Sequence, residues 1–573
     1  ALVLLGVVAV VLVAYTGHQA IAAKSNLELV AHDFSTLSGQ LTSGDEPGAR
    51  TTLTRAQSHA REARANTHGP GWWLTSKIPG VGPNIVAVRT VADVTDDLSQ
   101  QVLPDVVKAT AALKPSKLRP SGGRIDLAPI TAVAPAVVRA NILLTRQSAR
   151  VQAIDVGDLA PQIARPVRLL QQKLEEASAL SDRASRAVRL LPPMLGADGT
   201  RTYLLLFQNN AEVRSTGGIP GSFATVVAED GKVSVGRQGD AATIGKFATP
   251  PIALTRDERT LFGENLGLFP QDVNFTPDFS RSARIVQAMW NARNGVKVDG
   301  VISTDPVALS LLLRGTGPVT VPGGRQLTSA NAVQLLLSQV YADIPDPARQ
   351  NVYFDAVANR VFSAVASGQG RPKTVLDNLV ASTDQRRILL WSDRPAEQAL
   401  LAPTRLGGVL PTRATSAPDV GVYLDDGGGS KLGYYLDHDV DVRSQRCQAD
   451  RQYLRVTLHL HSRVPADSSG LPDYVAQNAV GLPRGLIRTT IYTYAPLGGY
   501  IDSVALDGHA QEPGRLTHDG RLLTSQTVDL EPGGQHTLTF GMVSGKGQTA
   551  TTDLAVTPGV RGDGVGTVSA PAC

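Results

Sequence analysis

The sequence predicts a multidomain α+β protein: an N-terminal transmembrane helix and helical stalk, a central α/β/α domain and a C-terminal antiparallel β-sandwich. Three observations predict it. An uncharged apolar run opens the chain, and helix-period sequence follows to about residue 192. Beyond residue 201 strands first alternate with helices and then follow one another at short spacing. At 573 residues the chain is too long for one core. The expected boundaries are 1–17 for the anchor, 18–195 for an extracytoplasmic helical region, 196–410 for the α/β domain and 411–573 for the sandwich.

Residues 1–15 read ALVLLGVVAVVLVAY. At about 1.5 Å per helical residue the run covers roughly 22 Å of a roughly 30 Å hydrocarbon core, so the span is expected to start before Ala1. A cleaved secretory signal is the rival reading, but the run passes straight into helix-compatible sequence with no obvious small-residue cleavage site. Both readings export the body. The retained anchor makes a single-pass protein of the cell membrane with the bulk of its chain extracytoplasmic. Cys447 and Cys573 are the two cysteines, and an even pair in an exported chain is expected to form one disulfide. The formal charge of +4 is small, and its Lys and Arg are interspersed with Asp and Glu, so no nucleic-acid partner is expected.

From residue 18 the helical region breaks at GDEPG, THGPGWW, SKIPGVGPN and KPSKLRPSGG. In its last helix Val167, Leu170, Leu174, Ala177, Ser181, Ala184, Val188 and Leu191 recur at alternating steps of three and four, a stripe for packing on another helix that Pro192 and Pro193 end. The same stripe offers a contact for a protein partner or for homo-oligomerisation through the stalk. TYLLLFQNN then reads as a buried central strand, and SFATVVAEDGKVSVGRQGD as a hairpin turning at Asp230-Gly231. SARIVQAMWNA is a helix, VDGVISTDP a strand, and PVALSLLLRGTG a helix closed by Gly315 or Gly317. Two more helices follow in LTSANAVQLLLSQVYADIP and DPARQNVYFDAVANRVFSAVASG, then a further helical stretch from PKTVLDNLV to EQALLA. The rest is β-rich. In YLRVTLHLHSRV, Leu454, Val456, Leu458 and Leu460 face one side and Arg455, Thr457, His459 and His461 the other.

FQNNAEVRSTGGIPGSFATVVAEDGKV, with IPGVGPN upstream and ILLWSDRPAEQALLA downstream, resembles a bacterial family catalogued only as domain of unknown function 4012. The order of elements over residues 203–361 also resembles the LytR-CpsA-Psr domain, whose members move lipid-linked glycans onto the cell wall. That resemblance makes the central α/β/α domain LytR-CpsA-Psr-like. It places Arg214 and the Gly217-Gly218 turn at the family's arginine segment, Arg237 and Asp240 at the next hairpin, and Arg349-Gln350 at an Arg-Gln pair opening a helix. Asn209 and Asn210 stand where that family has a carboxylate, and Thr216-Gly217 replaces its Ser-Asp.

The resemblance implies an Arg-lined pocket for a polyprenyl-pyrophosphate-linked glycan or a cell-wall polymer, since guanidinium forks bind phosphate oxygens bidentately. Retained catalysis would require carboxylates holding a cation, Mg2+ being the one implied. The missing acidic residues point to binding with catalysis lost. The alternatives are a scaffolding envelope protein acting by protein contacts, and an active glycan phosphotransferase. Adjacent glycines more often satisfy a positive φ than cradle an anion. His459 and His461 show no third metal ligand in sequence, and Asp425-Asp426-Gly427-Gly428-Gly429-Ser430 reads as a turn, so no metal site is expected.

Overall fold

The computed structural model describes residues 2–113, 120–561 and 566–573, with side chains described from residue 18 onward except at 347 and 366. The chain forms two compact units: Ala1–Arg119 with Ile125–Asp198, and Pro120–Arg124 with Gly199–Cys573.

The first unit is helical: α1 (Leu2–Ser43), α2 (Glu46–Ala65), α3 (Pro70–Thr75), α4 (Gly82–Asp97), α5 (Leu103–Ala112), α6 (Ala128–Gln152) and α7 (Pro161–Met194). The expected breaks at GDEPG, THGPGWW and SKIPGVGPN are visible locally, while residues 114–119 of the fourth, KPSKLRPSGG, lie outside the described residues. Asp45 caps α2 by accepting from the Gly48 amide at 3.0 Å, and prolines sit in the first turns of α2 to α7. Buried Asp33 on α1 is held by Arg55 and His59 of α2. Val94, Leu98, Val102, Ala140, Leu144 and Leu174 build a core between α4, the π-helical turn Leu98–Val102 that follows it, α6 and α7.

The α7 stripe departs from expectation in its second half. Val167 and Leu174 are buried, but beyond Ser181 the buried residues are Ser185, Val188, Leu190, Pro192 and Met194, whereas Ala184 and Leu191 are exposed. Helix period drifts against a strict seven-residue repeat, which carries the later positions off the contact line. Pro192 and Pro193 lie inside the last turn, and the helix closes at Leu195.

Among the described residues one helix, α6, is long and apolar enough to cross a membrane. Its stripe of Ile130, Val133, Ala140 and Leu144 is buried, and Arg139 binds Asp105 through two hydrogen bonds of 2.9 and 2.8 Å. Those contacts are what a bundle helix makes. The expected anchor at 1–17 is helical in its backbone from Leu2; its side chains lie outside the described residues.

In the second unit the central sheet is mixed. β1 (Arg201–Asn209), β2 (Ile219–Glu229), β3 (Lys232–Asp240), β4 (Gly300–Thr304) and β7 (Leu389–Ser392) lie in the order β3-β2-β1-β4-β7, with β1 and β4 parallel and the other pairs antiparallel. β1 is therefore central, as its apolar run predicts. The β2–β3 hairpin turns at Asp230 and Gly231, both at positive φ (47° and 78°), the type I′ signature. Helix α8 (Phe279–Asn294) packs on β4 and β7, α9 (Pro306–Thr316) on β1 and α10 (Pro347–Ala366) on β2 and β3, while α11 (Pro372–Asp384) packs on α9. Gly317, at φ 86°, closes α9. Between α9 and α10 lie the short pair β5 (Val319–Thr320) and β6 (Gln326–Leu327), then a helix whose middle, Leu335–Gln339, is a π-helical turn. β7 corrects the expectation of continuous helix across ILLWS. The short run contains a strand that pairs with β4, a partner far upstream that no local period reveals.

The remaining strands form two sheets. β8 (Asp419–Asp426), β11 (Ile487–Tyr494), β14 (Leu516–His518), β15 (Arg521–Leu530) and β17 (Asp553–Val556) lie in the order β14-β15-β11-β8-β17. β9 (Leu436–Gln448), β10 (Arg451–Ser462), β12 (Tyr500–Leu506), β13 (His509–Gln511), β16 (Gln535–Val543) and β18 (Thr567–Val568) lie in the order β13-β12-β16-β10-β9-β18. Val422, Leu424 and Ile491 of the first share one core with Val456, Leu458, Leu538 and Phe540 of the second. The interiors are antiparallel, but β17 and β18 each join an edge in parallel. Cys447 and Cys573 form the disulfide, with their Cα atoms 5.0 Å apart.

Candidate functional site

β1 builds two surfaces by alternation. Leu204 and Leu206 are fully buried in the core under α8, while Leu205 and Phe207 point to the opposite face of the sheet. That second face is covered at a distance by α9 and α10, and a cavity of about 400 Å³ lies between. On α10 the lining residues Gln350, Phe354, Val357, Val361 and Val365 recur at steps of three and four, one stripe of the helix. α9 adds Leu309 and Leu312, and the π-helical turn brings in Leu336 and Leu337. A π-turn rotates the residues beyond it relative to a regular helix, and it is followed here by Tyr341, which also lines the cavity.

The polar lining is connected. The Asn209 amide donates to Glu212 at 2.9 Å and to the Tyr341 hydroxyl at 3.0 Å. Glu212 is ion-paired with Lys431, whose ammonium stands 5.0 Å from the centre of the Tyr341 ring and 4.7 Å from that of Tyr474. Burial, reinforced by Glu212, pushes the Tyr341 hydroxyl well above its ordinary pKa, so it stays a neutral donor. Tyr474 is half exposed, so this cluster reaches the surface. Asp305, also in the lining, accepts from the Ala308 amide at 2.7 Å, from Asn210 at 3.0 Å and from buried Arg387 at 3.0 Å. The cavity thus has aliphatic walls and one aromatic, hydrogen-bonding end carrying a paired cation.

Of the residues singled out in sequence, Asn209 and Gln350 meet at this cavity, with Gln350 donating to the Ile344 carbonyl at 2.7 Å. Asn210 lies just behind it on Asp305. Asp240 caps the short helix Ala241–Ile244 and accepts from Asn351, itself a lining residue. The arginines are elsewhere. Arg214 is buried, stacked 4.3 Å from the Phe275 ring centre, donating to the Val213 carbonyl and facing Asp272 at 3.5 Å. Arg237 is exposed and donates to Asn294 at 2.8 Å, and Arg349 is exposed on the first turn of α10. An Arg-lined pocket is therefore replaced by one whose cation is Lys431.

The Gly217-Gly218 turn does not hold out free amides. Gly217 N–H donates to the Arg214 carbonyl at 2.7 Å and Gly218 N–H to the Gln208 side chain at 2.7 Å. A Cβ on Gly218 would lie 2.2 Å from the Asn209 carbonyl oxygen, which explains the glycine by packing. The Asp426 carboxylate accepts from the amides of Gly428, Gly429 and Ser430, making the acidic glycine-rich segment a turn. His459 does gain neighbours that sequence left unseen, since Asp439 and Asp441 on β9 come within 4.8 Å of it, on an open sheet face. Lys431, Tyr341 and Tyr474 were missed in sequence because they come from three separate segments. The stripe on α10 was the signal available for the aliphatic wall.

Residues 198–341 match the family model described as protein of unknown function (DUF4012). No curated protein and no solved structure matches the chain.

Proposed function

We propose that this chain, with its DUF4012 segment at 198–341, is a membrane-anchored envelope protein that binds a lipid-linked glycan, its hydrocarbon chain entering the cavity beneath α9 and α10. The observation that carries this reading is the cavity itself, about 400 Å³ with aliphatic walls and a hydrogen-bonding end at Asn209, Tyr341 and Lys431. Each methylene moved from water into such walls contributes about 0.8 kcal/mol, so an elongated hydrocarbon is the occupant they favour. The resemblance in element order to the LytR-CpsA-Psr domain and the apolar run at 1–15 support a ligand presented at a bilayer. Glu212 and Asp305 are already engaged by Lys431 and Arg387, which favours holding the ligand over transferring it.

The test uses the full chain in nanodiscs. Polyprenyl phosphate and a polyprenyl-linked sugar are titrated against the wild type and against Ala358→Trp, which fills the cavity from α10. Saturable binding that the tryptophan abolishes is expected. Equal binding by both proteins, or none by either, overturns the reading.

One observation favours scaffolding through the stalk as the second reading. Leu180, Ala184, Ala187 and Leu191 of α7 are exposed on one face at steps of four, three and four. Cross-linking from position 184 in cells would yield a discrete oligomer on that reading, and monomer alone counts against it.

A further inference from the structure

Residues 66–92 contain no carboxylate; their charges are Lys77 and Arg89, and they include Trp72 and Trp73 side by side. In the structure this segment is α3, a turn and the start of α4. The two tryptophans have opposite fates. Trp72 is buried, and its indole N–H donates to the Gln19 side chain on α1 at 3.2 Å. Trp73 is 58% exposed, and Leu74, Ile78 and Val81 are exposed with it. Lys77 lies 5.9 Å from the Trp73 ring centre. On α1, Ile21 is 71% exposed two residues beyond Gln19.

The position of Gln19 gives this apolar cluster a meaning. α1 runs without a break from Leu2 to Ser43, so Gln19 stands four residues past Tyr15, the end of the uncharged run. At about 1.5 Å per residue that is roughly 6 Å along the helix, the depth of a lipid head-group layer if the run fills the hydrocarbon core. The Trp72–Gln19 bond fixes the exposed cluster at that level. Four large apolar side chains exposed within residues 73–81 are more than the single scattered apolar groups of an ordinary surface, and tryptophan with lysine beside it is the pairing that a membrane interface takes up. The absence of carboxylates removes repulsion from anionic lipid, and Lys77 adds attraction.

We propose that Trp73, Leu74, Ile78 and Val81 form a second membrane contact, an interfacial patch that enters the head-group layer beside the anchor and sets how the stalk stands on the bilayer. It rests on the reading of residues 1–17 as the anchor. One helix leaving a bilayer is free to tilt and rotate; a second point of contact removes that freedom.

The experiment uses the full chain in nanodiscs of phosphatidylcholine and phosphatidylglycerol with bromine-labelled acyl chains. Of the four tryptophans, Trp72, Trp290 and Trp391 are buried, so lipid-borne bromine reads Trp73. Quenching of the wild type and loss of most of it in Trp73→Phe are expected. A fluorophore on Ala9→Cys separates the two readings. If it is quenched while Trp73 is not, the patch falls and the anchor stands; if neither is quenched, both fall. Protection of Trp73 from bromine together with a dimer in the disc would assign the patch to a second copy and overturn the proposal.

Discussion

The Ser215 amide donates to the Asp425 carboxylate over 2.6 Å, and the Ser215 hydroxyl reaches its other oxygen at 3.3 Å. This bond ties the loop after β1 to β8. It makes the Arg-Ser-Thr-Gly-Gly segment an internal joint of the second unit. Asp425 is buried, which pushes its carboxyl well above the ordinary range. Asp425→Ala strands the Ser215 amide and is expected to cost about 2–3 kcal/mol, whereas Asp425→Asn keeps an acceptor and costs about 1 kcal/mol. Urea unfolding of the two variants checks the order; equal losses would contradict it.

Lys431→Met should destabilise the protein by about 2 kcal/mol, because Glu212 is left without its cation among Tyr341 and Asn209. Adding Glu212→Gln removes the stranded charge and is expected to restore most of that loss. The double-mutant cycle on denaturation midpoints measures the coupling.

Asp355 on α10 carries a carboxyl pushed up to about 6, by burial first and by Asp240 second. The folded state therefore holds this proton more tightly than the unfolded chain. Its stabilising contribution is complete below about pH 4 and is lost as pH rises through about 6. Asp355→Asn is expected to flatten that dependence and to gain about 1 kcal/mol at neutral pH, the modest size reflecting screening of a partly exposed group. Thermal melts across this range would show it; a variant less stable than wild type at neutral pH would refute it.

The Cys447–Cys573 bond closes a separation of 126 residues, for which chain entropy predicts about 4–5 kcal/mol. Cys573→Ser should lower stability by up to that amount. Because Cys573 follows β18, hydrogen exchange is expected to rise first where β18 pairs with β9 at Asp441 and Val442.

Much of the secondary structure was legible because local rules govern it. The Asp230-Gly231 turn, the central burial of β1, the closure of α9 at Gly317 and the alternation along β10 all follow from periods and backbone preferences within a few residues. β7 was hidden because its reason for being a strand is β4. The candidate site was half legible. Asn209 and Gln350 reached the cavity, but three arginines picked by position in a pattern did not. An arginine's role depends on what it faces, and Arg214 faces Phe275 and Asp272.

The sequence by itself determined where helix and strand period begin and end, the pairing of its two cysteines and the apolar run that opens the chain. Each is a property of near neighbours or of a simple count. Only the tertiary structure decided that the Gly217-Gly218 amides are spent on Arg214 and Gln208, and that Lys431 rather than an arginine is the cavity's cation. It also decided that Trp72 is buried and bonded to Gln19 while Trp73 stays exposed. Burial and charge pairing are set by residues distant in the chain and close in space, and no local period encodes them.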